Sequence, residues 1–167
     1  MPPVHIYLPL ILRDGSNSNP VPLPDLHLSR FTITPSEPTL GRSAQIELVV
    51  ENSGGQASGD FWVDLYINPN GSPKINQTWS MLCQLEPCDG LAWQVHGLQP
   101  HEAITLTSTI DSYQPLYSRW GGGFRVSGPL QLYIYVDSWN GTNSNGAVLE
   151  ANEENNLEMK TIDVAVK

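Results

Sequence analysis

The sequence predicts an all-β fold, an antiparallel sandwich of the immunoglobulin type with seven to nine strands. Three observations predict it. Leu130, Leu132, Ile134 and Val136 alternate with Gln131, Tyr133, Tyr135 and Asp137, the two-residue period of a strand with one buried face. Glycine and proline, 14 each, fall between such stretches together with asparagine and serine, as in chains that turn often. Finally, no stretch shows the three-to-four apolar spacing of a helix; residues 150–160 come nearest and lack it. A jelly roll is the second choice, and it requires more evenly matched strands. At 167 residues the chain suffices for one domain burying roughly 70% of its unfolded surface.

Residues 1–24 read as an extended arm, with Ser16-Asn17-Ser18-Asn19 followed by Pro20, Pro22 and Pro24. The segment His5 to Leu12 is apolar enough to dock on a surface. Residues 25–167 read as the sandwich. Its first strand spans Leu26 to Ile33 and ends before Pro35 and Pro38. A second follows Gly41, with Ile46, Leu48 and Val50 on one face, and Asn52-Ser53-Gly54-Gly55 breaks it. Phe61, Val63, Leu65 and Ile67 alternate with Trp62, Asp64, Tyr66 and Asn68 in a third strand, closed by the turn Asn68-Pro69-Asn70-Gly71. Trp79 to Cys83, Leu91 to Val95 and Ile104 to Ser108 are read as three short strands. Residues 111–127 form a long loop, and two C-terminal strands finish the domain.

A formal charge of −9 with no Lys/Arg cluster argues against nucleic acid and anionic lipid surfaces as partners. The apolar run Val4 to Leu12 is far shorter than the ~20 residues a membrane span needs. Pro9 interrupts it and no basic segment precedes it, so it makes a poor export signal; the expectation is a piece of a larger exported protein. Cys83 and Cys88 enclose four residues. That is too wide for the usual redox pair and too isolated for a metal site, so a short disulfide is expected, with free thiols as the alternative.

The order of several short patterns resembles the CARDB family, the cell adhesion related domain found in bacteria. They are Pro24-Asp25-Leu26, Pro35-x-x-Pro38-x-x-Gly41, Val50-Glu51-Asn52-Ser53-Gly54-Gly55, Phe61 to Ile67, Val136-Asp137 and Glu150-x-x-Glu153-x-Asn155-Asn156. The resemblance covers about residues 24–167. It implies an immunoglobulin-like or fibronectin-like sandwich, repeated within large exported proteins, and it lends no catalytic residues. The 111–127 loop and the cysteine loop go beyond the simplest family pattern.

Enzyme motifs are missing: there is no Gly-x-Ser-x-Gly elbow, no His-Glu-x-x-His and no phosphate-cradling loop. His96 and His101 flank a Gly-Leu-Gln-Pro turn and read as surface histidines. A small hydrolase with distributed carboxylates would need a clustered acid pair that nothing in the sequence marks. The stretch Asp137 to Asn156 is different. Asp137, Asn140, Asn145, Glu150, Glu153 and Asn155 could supply the six to eight oxygens that a calcium ion takes, without the helix–loop–helix spacing. The competing reading, and the preferred one, is that these side chains hold turns. No other cofactor is expected.

Aromatic residues give a further candidate. If Phe61, Val63, Leu65, Leu130, Leu132, Ile134 and Val136 face the core, Trp62, Tyr66, Tyr133 and Tyr135 share the opposite face of two neighbouring strands. With Trp120 or Trp139 from the loops, that face could stack sugar rings; it could equally be covered by the arm or the 111–127 loop, which is preferred. The resulting expectation is a non-catalytic adhesion or spacer module, extracellular or at the cell surface, joined to further domains. Its partners would be other proteins or cell-surface glycans, without membrane insertion. The alternative is a carbohydrate-binding accessory module of an exported hydrolase.

Overall fold

A computed structural model describes residues 21–83 and 89–166. Among these residues seven strands form two antiparallel sheets. β1 (Leu26–Thr34), β2 (Gln45–Asn52) and β5 (Ala103–Thr107) make a three-stranded sheet in the order β1-β2-β5. β3 (Phe61–Ile67), β4 (Asp89–Val95), β6 (Gly128–Val136) and β7 (Leu157–Val164) make a four-stranded sheet in the order β4-β3-β6-β7. The sandwich read from the two-residue period is therefore the fold, with the strand count at the low end of the expected range. The fold requires β3 and β6 to be neighbours, and Leu65 pairs with Ile134 in that ladder.

The inward residues of both sheets fill one core. Ile46, Leu48 and Val50 of β2 meet Phe61, Val63 and Leu65 of β3, Trp93 of β4, and Leu132, Ile134 and Val136 of β6, all fully or almost fully buried. The indole of Trp93 donates across the sandwich to the Thr107 carbonyl at 3.0 Å, so its polar atom is satisfied without leaving the core. In β1 the register against β2 shifts between Leu28 and Arg30. This bulge at Ser29 lets Leu28 and then Ile33 both turn inward, where an unbroken alternation would send one of them to solvent.

The segment 79–83, read above as a strand, is a 3-10 turn over Trp79–Leu82. The Met81 N–H bonds the Thr78 carbonyl at 3.0 Å, so the segment closes on itself rather than on a neighbouring strand. It lies over the outer face of the four-stranded sheet, where the Trp79 indole rests against Gly90 of β4; a Cβ on Gly90 would occupy the position of that ring. A second 3-10 turn, Pro115–Tyr117, interrupts the long loop. The same loop caps the free edge of β4. Gln114 N–H donates to the Ala92 carbonyl at 2.8 Å, and Gly90 and Arg119 exchange backbone bonds at 3.0 and 2.8 Å, leaving that edge closed to other strands.

β1 starts, and β2, β4 and β6 end, at one pole of the sandwich, since Leu26 pairs with Asn52 and Phe61 with Val95. β7 starts at that pole and ends at the other, where Ala165 bonds Pro38 and Leu40. A nine-residue strand is about 30 Å long, so the two poles are separated by roughly that length.

Cys88, the expected disulfide partner of Cys83, lies outside the described residues, as do arm residues 1–20. The last arm residues are anchored. The Leu23 carbonyl accepts from Gly55 N–H at 3.0 Å and the Pro24 carbonyl from Ala151 N–H at 2.8 Å. A Cβ on Gly54 would run into the Leu23 and Pro24 backbone, which explains the glycine pair that ends β2.

Candidate ligand-binding face and acidic loop

The outer face of the four-stranded sheet carries Trp62, Asp64 and Tyr66 from β3 beside Tyr133 and Tyr135 from β6, with Asp64 opposite Tyr135 and Tyr66 opposite Tyr133. The sequence-predicted set is partly brought together. Tyr66 is fully buried and its hydroxyl donates to the Gln77 carbonyl. Burial, with the Asp64 carboxyl beside it, pushes its phenol upward. Tyr135 is half-buried and raised by burial and then by Asp137. Tyr133 is half-buried. Trp120 does not belong to this face: it meets Phe124 edge-on, ring centroids 5.3 Å apart, against the core. Cover comes from two segments. One is the 111–127 loop, whose Tyr117 meets Trp62 edge-on at 5.4 Å. The other, not foreseen, is the 73–82 segment, whose Trp79 indole donates to the Tyr117 carbonyl at 2.8 Å and so ties the two covers together.

The cover is incomplete. A cleft of about 260 Å³ remains between Trp62, Thr78, Ala92, Tyr117 and Trp139, with Asp64 in its lining. Asp64 Oδ2 accepts from the Ser138 hydroxyl at 2.6 Å. Burial nevertheless pushes the Asp64 carboxyl up to about 7, because one neutral hydroxyl offsets only part of the lost hydration. Sequence reading missed Asp64, Thr78 and Tyr117 as members of this cleft. Only Asp64 left a signal, as an acid within a strand whose other face is apolar.

The six loop residues proposed for calcium are placed as follows. Both oxygens of buried Asp137 accept backbone N–H groups, from Ala147 at 2.9 Å and Val148 at 2.8 Å. Glu150 accepts from Leu26 N–H through Oε2 and from the Asn156 amide through Oε1. Glu153 accepts from Glu150 N–H at 2.9 Å. Asn140 donates to the Gly146 carbonyl at 2.6 Å, Asn145 N–H donates to Asn143 Oδ1 at 3.0 Å, and Asn155 donates to Asp25 at 2.8 Å. These are the bonds of a loop that ties its own turns and clasps the start of β1. Burial raises Asp137 to about 6 and Glu150 to about 7, against the lowering effect of the bonds they accept. Among the described residues no group of three or more His, Cys, Asp or Glu could hold a metal ion. Asn52 makes a second knot at the same pole: its Oδ1 accepts from Asp25 and Gly54 N–H, and its amide donates to Gln56, Leu98 and Gln99 carbonyls.

The CARDB family profile matches residues 23–160. The chain belongs to the CARDB family. Solved structures share its fold. The crystal structure of a CARDB domain from Pyrococcus furiosus, solved in complex with di-metal ions, is 23% identical with a TM-score of 0.56, over 87% of this chain and 96% of that one. The solution structure of the same domain is 20% identical, TM-score 0.53, over 87% and 97%. A domain from Methanosarcina acetivorans, named as part of a cell surface protein, is 17% identical, TM-score 0.51, over 86% and 93%. No curated protein matches the chain. Among the described residues of this CARDB domain, no helix is long and apolar enough to cross a membrane.

Proposed function

We propose that this CARDB domain is a non-catalytic spacer and adhesion module, carried at a cell surface within a larger chain. One observation supports the reading most: β1 starts at one pole and β7 ends at the other, so a chain running through the domain advances about 30 Å along the strands instead of doubling back. Modules joined in this way add reach and valency. Buried Asp137 and Glu150 agree with it, since their carboxyls are engaged in holding backbone and a neighbouring amide. Labelling intact cells of the source organism with an antibody against residues 21–166 tests the location. Surface labelling is expected; signal only after permeabilisation would remove the proposal. Small-angle scattering of a two-domain tandem tests the spacing, and a folded-back particle would argue against a spacer.

The metal reading fits this loop poorly, because Asp137 and Glu150 already accept from backbone and amide donors through all four oxygens. We expect the melting midpoint to stay the same in millimolar calcium and in chelator. A rise of several degrees with calcium would restore the cation site. A Cys83–Cys88 disulfide would suit an exported domain. Alkylation followed by mass measurement, with and without reductant, checks it; modification of both thiols without reductant would exclude the bond.

A further inference from the structure

Most acids buried in this domain are used up by the fold, but Asp64 is not. Its carboxyl takes one bond, from Ser138, and lines a cleft whose other walls are two tryptophans, a tyrosine, a threonine and an alanine. No cationic side chain of the described residues forms an ion pair with it. Aromatic faces attract cations through their ring quadrupoles, and a carboxylate in the same wall adds direct charge attraction in a partly dehydrated site.

We propose that this cleft binds a small organic cation, an alkylated ammonium group that sits among Trp62, Tyr117 and Trp139 with its charge facing Asp64. The cleft suits such a ligand better than a sugar. At about 260 Å³ it lies just below the usual range of small-molecule pockets, roughly 300–1,000 Å³. Among the described residues its lining is mostly aromatic, and Asp64 and Thr78 are its non-aromatic polar side chains, a small set for the many hydroxyls of a pyranose ring. An ammonium group carrying methyls needs little beyond aromatic walls and one negative charge. The chain's charge of −9 also raises the local concentration of cations.

Protonation of Asp64 would compete with the ligand. The titratable groups around it are Tyr66 on β3, Tyr135 on β6 and Tyr117 from the covering loop, while β4 presents Ala92; burial holds the Tyr66 and Tyr135 phenols above their ordinary range. Its ionisation near pH 7 therefore sets the pH at which binding is gained.

The test is a titration of the intact protein with choline chloride, followed through the indole N–H resonances of Trp62 and Trp139. The neutral isostere 3,3-dimethyl-1-butanol, glucose and cellobiose serve as comparison probes. Saturable shifts of both indoles by choline are expected at about pH 8.5, weakened roughly tenfold or more at about pH 5.5. The isostere should bind at least about tenfold more weakly. Asp64→Asn, which keeps an acceptor for Ser138, should lose choline affinity by a similar factor. Three results would overturn the proposal: no saturable shift with choline up to roughly 0.1 M, equal binding of the isostere by the wild type, or saturable shifts with a sugar and none with choline. All three are read on the wild type, so a failure of Asp64→Asn to fold leaves the question decidable.

Discussion

Asp64, Asp137 and Glu150 are buried acids whose partners are all uncharged: one hydroxyl, three backbone N–H groups and one amide. Dehydration therefore outweighs hydrogen bonding, and the carboxyls rise from 3.8–4.5 to about 6 or 7. A raised carboxyl holds a proton in the folded state that the unfolded chain has already released. The stability it contributes is full below pH 4 and is lost as pH climbs through 6 and 7. At about 2–4 °C per kcal/mol for a chain of this size, the melting midpoint at pH 5 should exceed that at pH 8 by roughly 5–10 °C. Asp64→Asn should narrow the gap, and a midpoint that rises with pH would contradict the assignment. Glu150→Ala leaves the Leu26 N–H and the Asn156 amide without their acceptor. Urea unfolding should show a loss of about 2–4 kcal/mol, and Glu150→Gln, which keeps an acceptor, a smaller one. Little at this scale could be read from sequence. The roles of Asn52 and Glu150 depend on partners up to 124 residues away, and no local pattern encodes such distances.

Strands proved the most legible elements, because alternation along β3 and β6 is imposed by the pleat itself and needs no knowledge of neighbours. Turns of the chain over the sheet were harder. Trp79-Ser80-Met81-Leu82 has strand-like composition, yet its aromatic ring is used sideways, against Gly90, while its backbone bonds locally. The bulge in β1 was equally hidden, since it is defined only against the register of β2. Gly90→Ala places a methyl where the Trp79 indole lies. The cover should lift, the Trp79–Tyr117 bond should break, and stability should fall by roughly 1–3 kcal/mol, with tryptophan emission moving to the red. An unshifted spectrum with unchanged stability would show that the segment is not seated as described.

For the molecule as a whole, the two-layer sandwich was legible because its core is built almost entirely from the inward members of period-two strands. Ile134→Ala should cost about 2–5 kcal/mol, whereas Leu149→Ala, at a side chain 66% exposed, should change little. Equal costs would contradict the placement of Ile134 in the core. The opposite placement of the β1 start and the β7 end has a mechanical result. Tension applied through those points runs parallel to the strands, so the eight pairs joining β1 to β2 and the eight joining β6 to β7 carry load together in shear. They cannot peel open one rung after another. A domain so arranged should yield to stretching abruptly and at high force, and single-molecule extension along that axis should record one sharp rupture.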